Sequence, residues 1–208
     1  MIIHSLVKSV VAAVLVTAVA TPALAQTGSA QAGKGKIAIC LACHGEGGND
    51  SKLPNVPKLG GQGEHYLLKQ LHDIKAGERA VPLMTGMLAS LNEQDLADIA
   101  AWYASQSAPL GAVDPALHKK GEVLFRAGNA SIGVAACAAC HAVDGGGLDT
   151  AGFPALSGQD PAYTELQLKA FRAGERSNDQ AEVMRSIAAR LNDSEIAALA
   201  SFVFGIRR

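Results

Sequence analysis

A five-residue motif, Cys-x-x-Cys-His, constrains this chain more than any other feature, because it occurs twice and includes all four cysteines. Cys40-Leu-Ala-Cys43-His44 recurs 97 positions later as Cys137-Ala-Ala-Cys140-His141. The sequence that follows repeats at the same offset, in the pairs Pro57 to Gln62 with Pro154 to Gln159, Tyr66 with Tyr163, Gln70 with Gln167, and Ala76 to Arg79 with Ala173 to Arg176. Three residues are then inserted, and Met84 matches Met184 at an offset of 100. This long period predicts a tandem duplication of one domain rather than a solenoid.

Both halves are predicted to be helical. Asp160-Pro161 is typical of an N-cap followed by a first-turn proline, and Gly174 follows the last turn of the helix that they open. The equivalent helix is predicted from about Glu64 to Gly77. A second pair of helices is predicted to begin at Asn92 and Asn192, since each is a good N-cap with an acidic residue three positions later. No segment alternates apolar and polar residues convincingly, so the fold class is predicted to be all-α.

Residues 1–25 have the features of a secretory signal peptide. Lys8 precedes an apolar run from Val10 to Val19, and Ala23-Leu24-Ala25 offers a small-residue cleavage site. A retained membrane anchor would need about 20 apolar residues, and Thr17 and the Thr21-Pro22 pair interrupt this run. We therefore expect a secreted chain.

A linker is predicted between the halves, because Ser105 to Pro115 is rich in small residues and carries Pro109, Gly111 and Pro115. The predicted organisation is a signal peptide at 1–25, an N-terminal domain at 26–108, a linker at 109–115 and a C-terminal domain at 116–208.

The two motifs have the spacing of c-type haem attachment. Thiols separated by two residues can add to the two vinyl groups of one haem, and the adjacent histidine is then held beneath the iron. We therefore expect two covalently bound haem c groups, at Cys40 and Cys43 and at Cys137 and Cys140, with His44 and His141 as proximal iron ligands.

Three other uses of the cysteines remain open at this stage. A thioredoxin-like redox pair would require a βαβ context, which the sequence does not predict. A simple disulfide would not require a histidine after both pairs. A zinc site could pool the four thiolates, or complete each pair with a further histidine from among His65, His72 and His118.

A methionine far downstream of the motif is the second axial ligand expected where electron transfer is the task. Met184 is the single candidate in the second half, and Met84 is its equivalent because each lies seven residues before a matching leucine. Met87 aligns with Ile187 and is better explained as an apolar wall residue, although exchange of Met87 for Met84 as ligand stays open. Histidines 65, 72 and 118 have no counterpart in the other half and are weaker candidates.

Pro57 and Pro154 each follow their histidine by 13 residues. A proline carbonyl on a rigid turn could accept a hydrogen bond from the second ring nitrogen of the histidine and so orient its ring. Equally, these prolines could serve only to keep the loop from becoming helical.

Charge limits the choice of partner. Without residues 1–25 the chain has 17 Lys and Arg against 19 Asp and Glu. This balance argues against nucleic acid as a partner, because phosphate binding is driven by a basic surface.

The sequence resembles the cytochrome c4 family of periplasmic dihaem proteins over essentially the whole mature chain. The resemblance is carried by both haem motifs, by Pro57 to Gln62, by Tyr66 to Lys75, by Met84-Thr85-Gly86, by Ala151 to Pro154 and by the two Leu-Asn capped helices. It implies two class I cytochrome c domains facing each other around a pseudo-twofold axis, with His/Met ligation in both. It also implies that electrons pass from a quinol-oxidising cytochrome complex (a quinol–cytochrome c reductase) to a terminal haem-copper oxidase, with the carrier in solution or loosely attached to the outer face of the inner membrane.

Two kinds of function are consistent with these sequence features, an electron carrier and an enzyme. A carrier would keep both irons six-coordinate, through His44 with Met84 and through His141 with Met184, and would have no catalytic residues. An enzyme or enzyme subunit, such as a dihaem peroxidase or the cytochrome component of a dehydrogenase, is the alternative. A peroxidase would need one iron with an open position, and the matching Met84 and Met184 argue against it.

Overall fold

The computed structural model describes residues 27–51 and 53–207, so the predicted signal peptide lies outside the described residues. Each half contributes a set of α-helices joined by loops and short 3-10 turns. The helices of the first half are α1 (Ala30–Lys34), α2 (Ala38–His44), α3 (Glu64–Ala76) and α4 (Glu93–Ala104). Those of the second are α5 (Pro115–Ala127), α6 (Ala138–His141), α7 (Pro161–Ala173), α8 (Val183–Ala188) and α9 (Asp193–Gly205).

The all-α prediction is confirmed. Within the described ranges, β pairing is limited to two isolated bridges, Asn129 with Val134 and Leu148 with Phe153. In the same part of the chain, no helix is long and apolar enough to cross a membrane.

The predicted helix ends are also confirmed. Helix α3 stops before Gly77, which adopts the left-handed conformation at φ 81°, and α7 stops before Gly174 at φ 74°. Asn92 and Asn192 each close a complete capping box with the acidic residue three positions later. These ends were predictable because a cap depends only on residues within one helical turn.

In each half the first helix crosses the last one at a glycine. Helix α1 packs on α4, and α5 packs on α9. A Cβ atom added to Gly33 would lie 1.9 Å from the carbonyl oxygen of Asp98, and one added to Gly121 would lie 2.3 Å from that of Ala198. Only a glycine permits backbones to approach so closely. In each domain this crossing therefore holds the first helix tightly against the last one.

Two apolar cores lie behind these crossings. The first includes Leu67, Ile99 and Tyr103, with Cys40 packed against it. The second includes Phe125 and Phe202, with Cys137 packed against it. Each haem-attachment motif thus lies at the edge of the core of its own half.

The segment that joins the halves runs from the end of α4 at Ala104 to the start of α5 at Pro115. Asp114 caps α5 by accepting a hydrogen bond from the backbone of Ala116, and Pro115 occupies the first turn. The last residue of the predicted linker 109–115, Pro115, therefore belongs to the helix. The remaining domain boundaries stay a prediction.

The two halves face each other with reciprocal contacts. Gln62 exchanges two hydrogen bonds with the backbone of Ala155, at 2.9 and 2.7 Å. Its counterpart Gln159 exchanges two with the backbone of Lys58, both at 2.9 Å. Because Lys58 and Ala155 are equivalent in the repeat, each half offers the same groups to the other, as an isologous interface requires. This exchange is the structural signature of the predicted pseudo-twofold axis.

Candidate haem-attachment sites

Both motifs form a short turn of helix. Cys40 and Cys43 lie in α2 and His44 is its last residue, whereas Cys137 precedes α6 and His141 ends it. Residues three apart share one face of a helix, so each pair of thiols points to the same side, and the histidine follows directly.

The chain turns sharply after each histidine. Gly45 follows His44 with φ 73°, and Ala142 follows His141 with φ 64°. This left-handed conformation is easy for glycine and strained for alanine. Its occurrence at equivalent positions indicates that each site requires the turn, even where no glycine provides it.

Each histidine ring is oriented by a proline carbonyl. Nδ1 of His44 lies 3.0 Å from the carbonyl oxygen of Pro57, and Nδ1 of His141 lies 2.9 Å from that of Pro154. Since a carbonyl oxygen can only accept, Nδ1 carries the proton in both rings. The lone pair is then on Nε2, which is the tautomer that an iron ligand needs.

Both rings are buried, with only 7% of His44 and 6% of His141 exposed. Burial lowers the pKa of each histidine, while the hydrogen bond to the proline carbonyl opposes the shift. The imidazoles therefore stay neutral at ordinary pH. Neutral imidazole is the form that binds metal, because the charged form has no free lone pair.

The cysteines are unpaired thiols and partly buried. Burial raises the pKa of Cys40, and it raises that of Cys137 to about 11. Reactive redox cysteines have lowered pKa values, so these thiols differ from a thioredoxin-like pair. The disulfide and the zinc site find no support either. The described cysteines form no disulfide, and no described group of three or more His, Cys, Asp or Glu is arranged to hold a metal.

The residues present therefore fit a haem c group at each site. The donor set consists of two thiols on one helical face followed by a buried neutral imidazole whose remaining nitrogen is available to iron. Such a set meets the requirements of covalent attachment and of proximal ligation together.

The methionines lie in elements of different geometry. Met84 ends the 3-10 turn Pro82–Met84, whereas Met184 lies in the first turn of α8. Both are half-buried, and so is Met87. The second-half segment is braced by an ion pair between Arg185 and Asp179, with the Arg185 Nε atom 2.7 Å from a carboxylate oxygen of Asp179.

The other histidines have partners away from the two motifs. His65 is exposed and lies 2.8 Å from the carboxylate of Asp149 in the other half, which raises its pKa. Nε2 of His72 lies 3.0 Å from a carboxylate oxygen of Glu93. His118 packs edge-on against the ring of Phe202.

One set of residues that recurs in both halves has a role at the interface that the repeat alone does not predict. Arg79 donates hydrogen bonds to Gln70 of its own half and to Tyr163 and Gln167 of the other, at 2.8 to 3.1 Å. Arg176 does the same in reverse, to Gln167, Tyr66 and Gln70, at 2.7 to 3.0 Å. The signal was present, since all of these residues recur at the 97-residue offset. A repeat identifies equivalent residues, but it does not show that they meet across an interface.

Comparisons with known proteins agree with this architecture. The family model described as Cytochrome c matches twice, over residues 30–107 and 119–205. Cytochrome c4 of Pseudomonas aeruginosa is 53% identical over 180 residues, which cover 86% of this chain and 89% of that protein. The thiosulfate dehydrogenase electron acceptor of Thiomonas intermedia is 36% identical over 172 residues, covering 81% of this chain and 78% of that protein. The crystal structure of reduced recombinant cytochrome c4 from Pseudomonas stutzeri is similar with a TM-score of 0.84 and 53% identity, covering 87% of this chain and 100% of that one.

Two cytochrome c domains in one helical chain, each with its own attachment motif, define a dihaem c-type cytochrome. Within that class, the chain belongs to the cytochrome c4 family. Its function is electron transfer, and its cofactors are two haem c groups bound covalently at Cys40 with Cys43 and at Cys137 with Cys140. The predictions of family, fold class and cofactor are confirmed.

Proposed function

We propose that this protein is a non-enzymatic electron carrier in which His44 with Met84, and His141 with Met184, ligate the two irons. One observation carries the proposal, namely that each motif histidine is buried, neutral and oriented by a proline carbonyl. Pro57 and Pro154 are therefore positioning residues for the proximal ligands in this proposal.

The haem iron supplies the one-electron couple, and the protein residues decide what else can reach it. Ligation of each iron by a methionine in addition to the motif histidine would leave no open position for peroxide or another substrate. The equivalence of Met84 and Met184 in the repeat supports the same arrangement in both domains. Two saturated sites favour a carrier over a peroxidase, which would need one site to open.

The partners that fit this carrier are respiratory redox proteins. We propose a quinol–cytochrome c reductase as donor and a terminal haem-copper oxidase as acceptor, with residues 1–25 directing the chain to the periplasm. The near-neutral charge balance supports protein partners over nucleic acid. Loose association with the outer face of the inner membrane is compatible with a carrier that exchanges electrons with membrane complexes.

A second donor is favoured by one of the comparisons. The Thiomonas intermedia relative is named as the electron acceptor of thiosulfate dehydrogenase. By analogy, this chain would accept electrons from a dehydrogenase and keep the same haem chemistry. Copurification with such an enzyme, and reduction of the cytochrome when its substrate is added, would favour this second role.

An anaerobic reductive titration tests the carrier proposal. The mature protein, produced in a host that attaches haem, is reduced stepwise while the visible spectrum and the weak methionine-to-iron band at its red edge are followed. We expect two haems per chain, the band from both ferric irons, and no rapid binding of carbon monoxide to either ferrous iron. A haem that lacks the band and binds carbon monoxide quickly would contradict the proposal and favour an enzyme.

A further inference from the structure

The two domains differ in the segment before the equivalent methionines Met84 and Met184. Four residues separate Arg79 from Met84, but seven separate Arg176 from Met184. Residues 177–183, named here the long Met184 loop, have no full counterpart in the first half. The contacts of this loop therefore distinguish the second haem site from the first.

One end of the loop is attached to the first domain. The side-chain nitrogen of Asn178 donates to Gln70 at 3.0 Å and to the carboxylate of Asp73. The backbone oxygen of Asn178 accepts a hydrogen bond from Lys69 at 3.0 Å, and Lys69 also pairs with Asp73. Asp73 is nearly buried, with 7% of its side chain exposed. Asn178 is thus held by three side chains of the other domain.

The next residue of the loop is attached to the methionine helix. Asp179 accepts hydrogen bonds from the backbone nitrogen of Arg185 at 3.0 Å and from its Nε atom at 2.7 Å. Only 5% of the Asp179 side chain is exposed, so water screens this ion pair little. Because Arg185 directly follows Met184, this contact fixes the turn of α8 that carries the methionine.

The segment between Asp179 and Arg185 is strained. Ala181 has φ 50° and Glu182 has φ 58°, and neither is a glycine. Non-glycine residues in this region are strained and persist where surrounding contacts impose the conformation. Here the Asp179–Arg185 pair closes the loop around these two residues, and Asn178, just before Asp179, ties the start of the loop to the first domain.

We propose that the long Met184 loop lets the first domain hold the sixth ligand of the second haem, with Asn178, Asp179 and Asp73 as positioning residues. This inference rests on the proposed ligation by Met184. The chain from Asp73 through Asn178 and Asp179 to Arg185 crosses the domain interface and ends beside the methionine. Among the contacts of residues 27–51 and 53–207, no equivalent chain leads from the second domain to Met84, so the two irons differ in how firmly their methionines are held.

Displacement of methionine by imidazole in the ferric dihaem protein tests this proposal. Residues 26–208 contain three methionines, so labelling with methyl-¹³C methionine gives three signals, and the variants M84L and M184L assign the two shifted by iron. The affinity for imidazole is then measured at each haem separately.

Three variants carry the test, with a fourth as control. In D179N we expect the imidazole affinity at the Met184 haem to rise about tenfold, the size expected for losing a hydrogen bond to a charged group. In D73A and N178A we expect a rise of about threefold at the same haem. E182Q is the matched control, because Glu182 also contacts Arg185, at 3.4 Å, but is 70% exposed. Its affinities should not change.

The D73A variant discriminates best, because Asp73 lies in the first domain, which carries Met84, whereas the predicted effect is at the Met184 haem. A change confined to the Met184 haem supports the proposal. A change confined to the Met84 haem, or no change in D179N and N178A, overturns it. If the unsubstituted protein shows no methionine signal shifted by iron, the proposed ligation itself fails, and this inference fails with it.

Discussion

Arg79 of the first domain donates a hydrogen bond to the hydroxyl of Tyr163 in the second at 2.8 Å. Arg176 returns the equivalent contact to Tyr66 at 3.0 Å. Burial favours the neutral phenol of Tyr66, but the positive charges of Arg176 and Arg79 outweigh it and lower the pKa of that phenol. The interface is thus held by two charge-assisted contacts related by the pseudo-twofold axis.

The first prediction concerns these two contacts. Y163F and Y66F each remove one hydrogen bond to a guanidinium, so each should lower the free energy of unfolding by about 1 to 2 kcal/mol. The double variant should not be additive, because both arginines also bond to Gln70 and Gln167. Chemical denaturation of the dihaem protein measures all three values. Strict additivity would show that the two contacts are independent.

The second prediction concerns acid stability. Asp98 accepts hydrogen bonds from Lys36, from the backbone of Ser29 and from Gln94, at 2.6 to 2.9 Å. The contact with Lys36, followed by that with Ser29, lowers the pKa of this carboxyl to about 2. A lowered carboxyl pKa contributes stability above the pKa of the unfolded chain, and this stability is lost as pH falls toward the folded value.

D98N should therefore cost about 1 to 3 kcal/mol near pH 7, and the cost should shrink from about pH 4 downward. Unfolding of both proteins across this range measures the difference. E46Q, which changes an exposed carboxyl, serves as control. A cost that does not depend on pH would contradict the assigned role of the charge.

The third prediction concerns the crossing of α1 and α4. In G33A the new methyl group would lie 1.9 Å from the carbonyl oxygen of Asp98, so the helices must separate. We expect a loss of about 1 to 3 kcal/mol of unfolding free energy. Gly35 is the matched control, since its nearest contact would be 3.5 Å away and its φ is −75°. Equal stability of G33A and G35A would contradict the close packing.

The fourth prediction concerns the turns after the two histidines. In G45A the alanine would adopt a positive φ and its Cβ would lie 2.8 Å from the carbonyl oxygen of Asp50, so we expect a loss of more than about 1 kcal/mol. A142G relieves the strain of alanine at φ 64° and should be neutral or slightly stabilising, within about 1 kcal/mol. Thermal unfolding of the two variants compares them. Destabilisation by A142G would mean that its methyl group is needed for packing.

Local signals explain most of what the sequence predicted correctly. The capping boxes at Asn92 and Asn192 formed as expected because every atom involved lies within one turn. The same reasoning could have placed Pro115 inside a helix, since Asp114-Pro115 repeats the Asp160-Pro161 pattern. Its position beside Pro109 and Gly111 favoured a linker instead.

Contacts between distant residues could not be predicted in this way. The bonds from Gln62 to Ala155 and from Asn178 to Asp73 join residues that are 93 and 105 positions apart. The repeat identified Gln62 and Gln159 as equivalent, but the pairing of each with the opposite domain follows from the relative placement of the domains. Gly33 and Gly121 were overlooked for a similar reason, because their importance depends on the helix that crosses them.

Replacing each methionine separately tests the central claim of His/Met ligation at two haems most directly. We expect M84L and M184L each to lose about half of the methionine-to-iron band of the ferric protein and to bind carbon monoxide at the affected haem once reduced, because one of two equivalent ligands is absent. M87L should keep the full band. Retention of the full band in M84L together with its loss in M87L would assign the ligand of the first iron to Met87, and a full band in M184L would contradict the proposed ligation of the second.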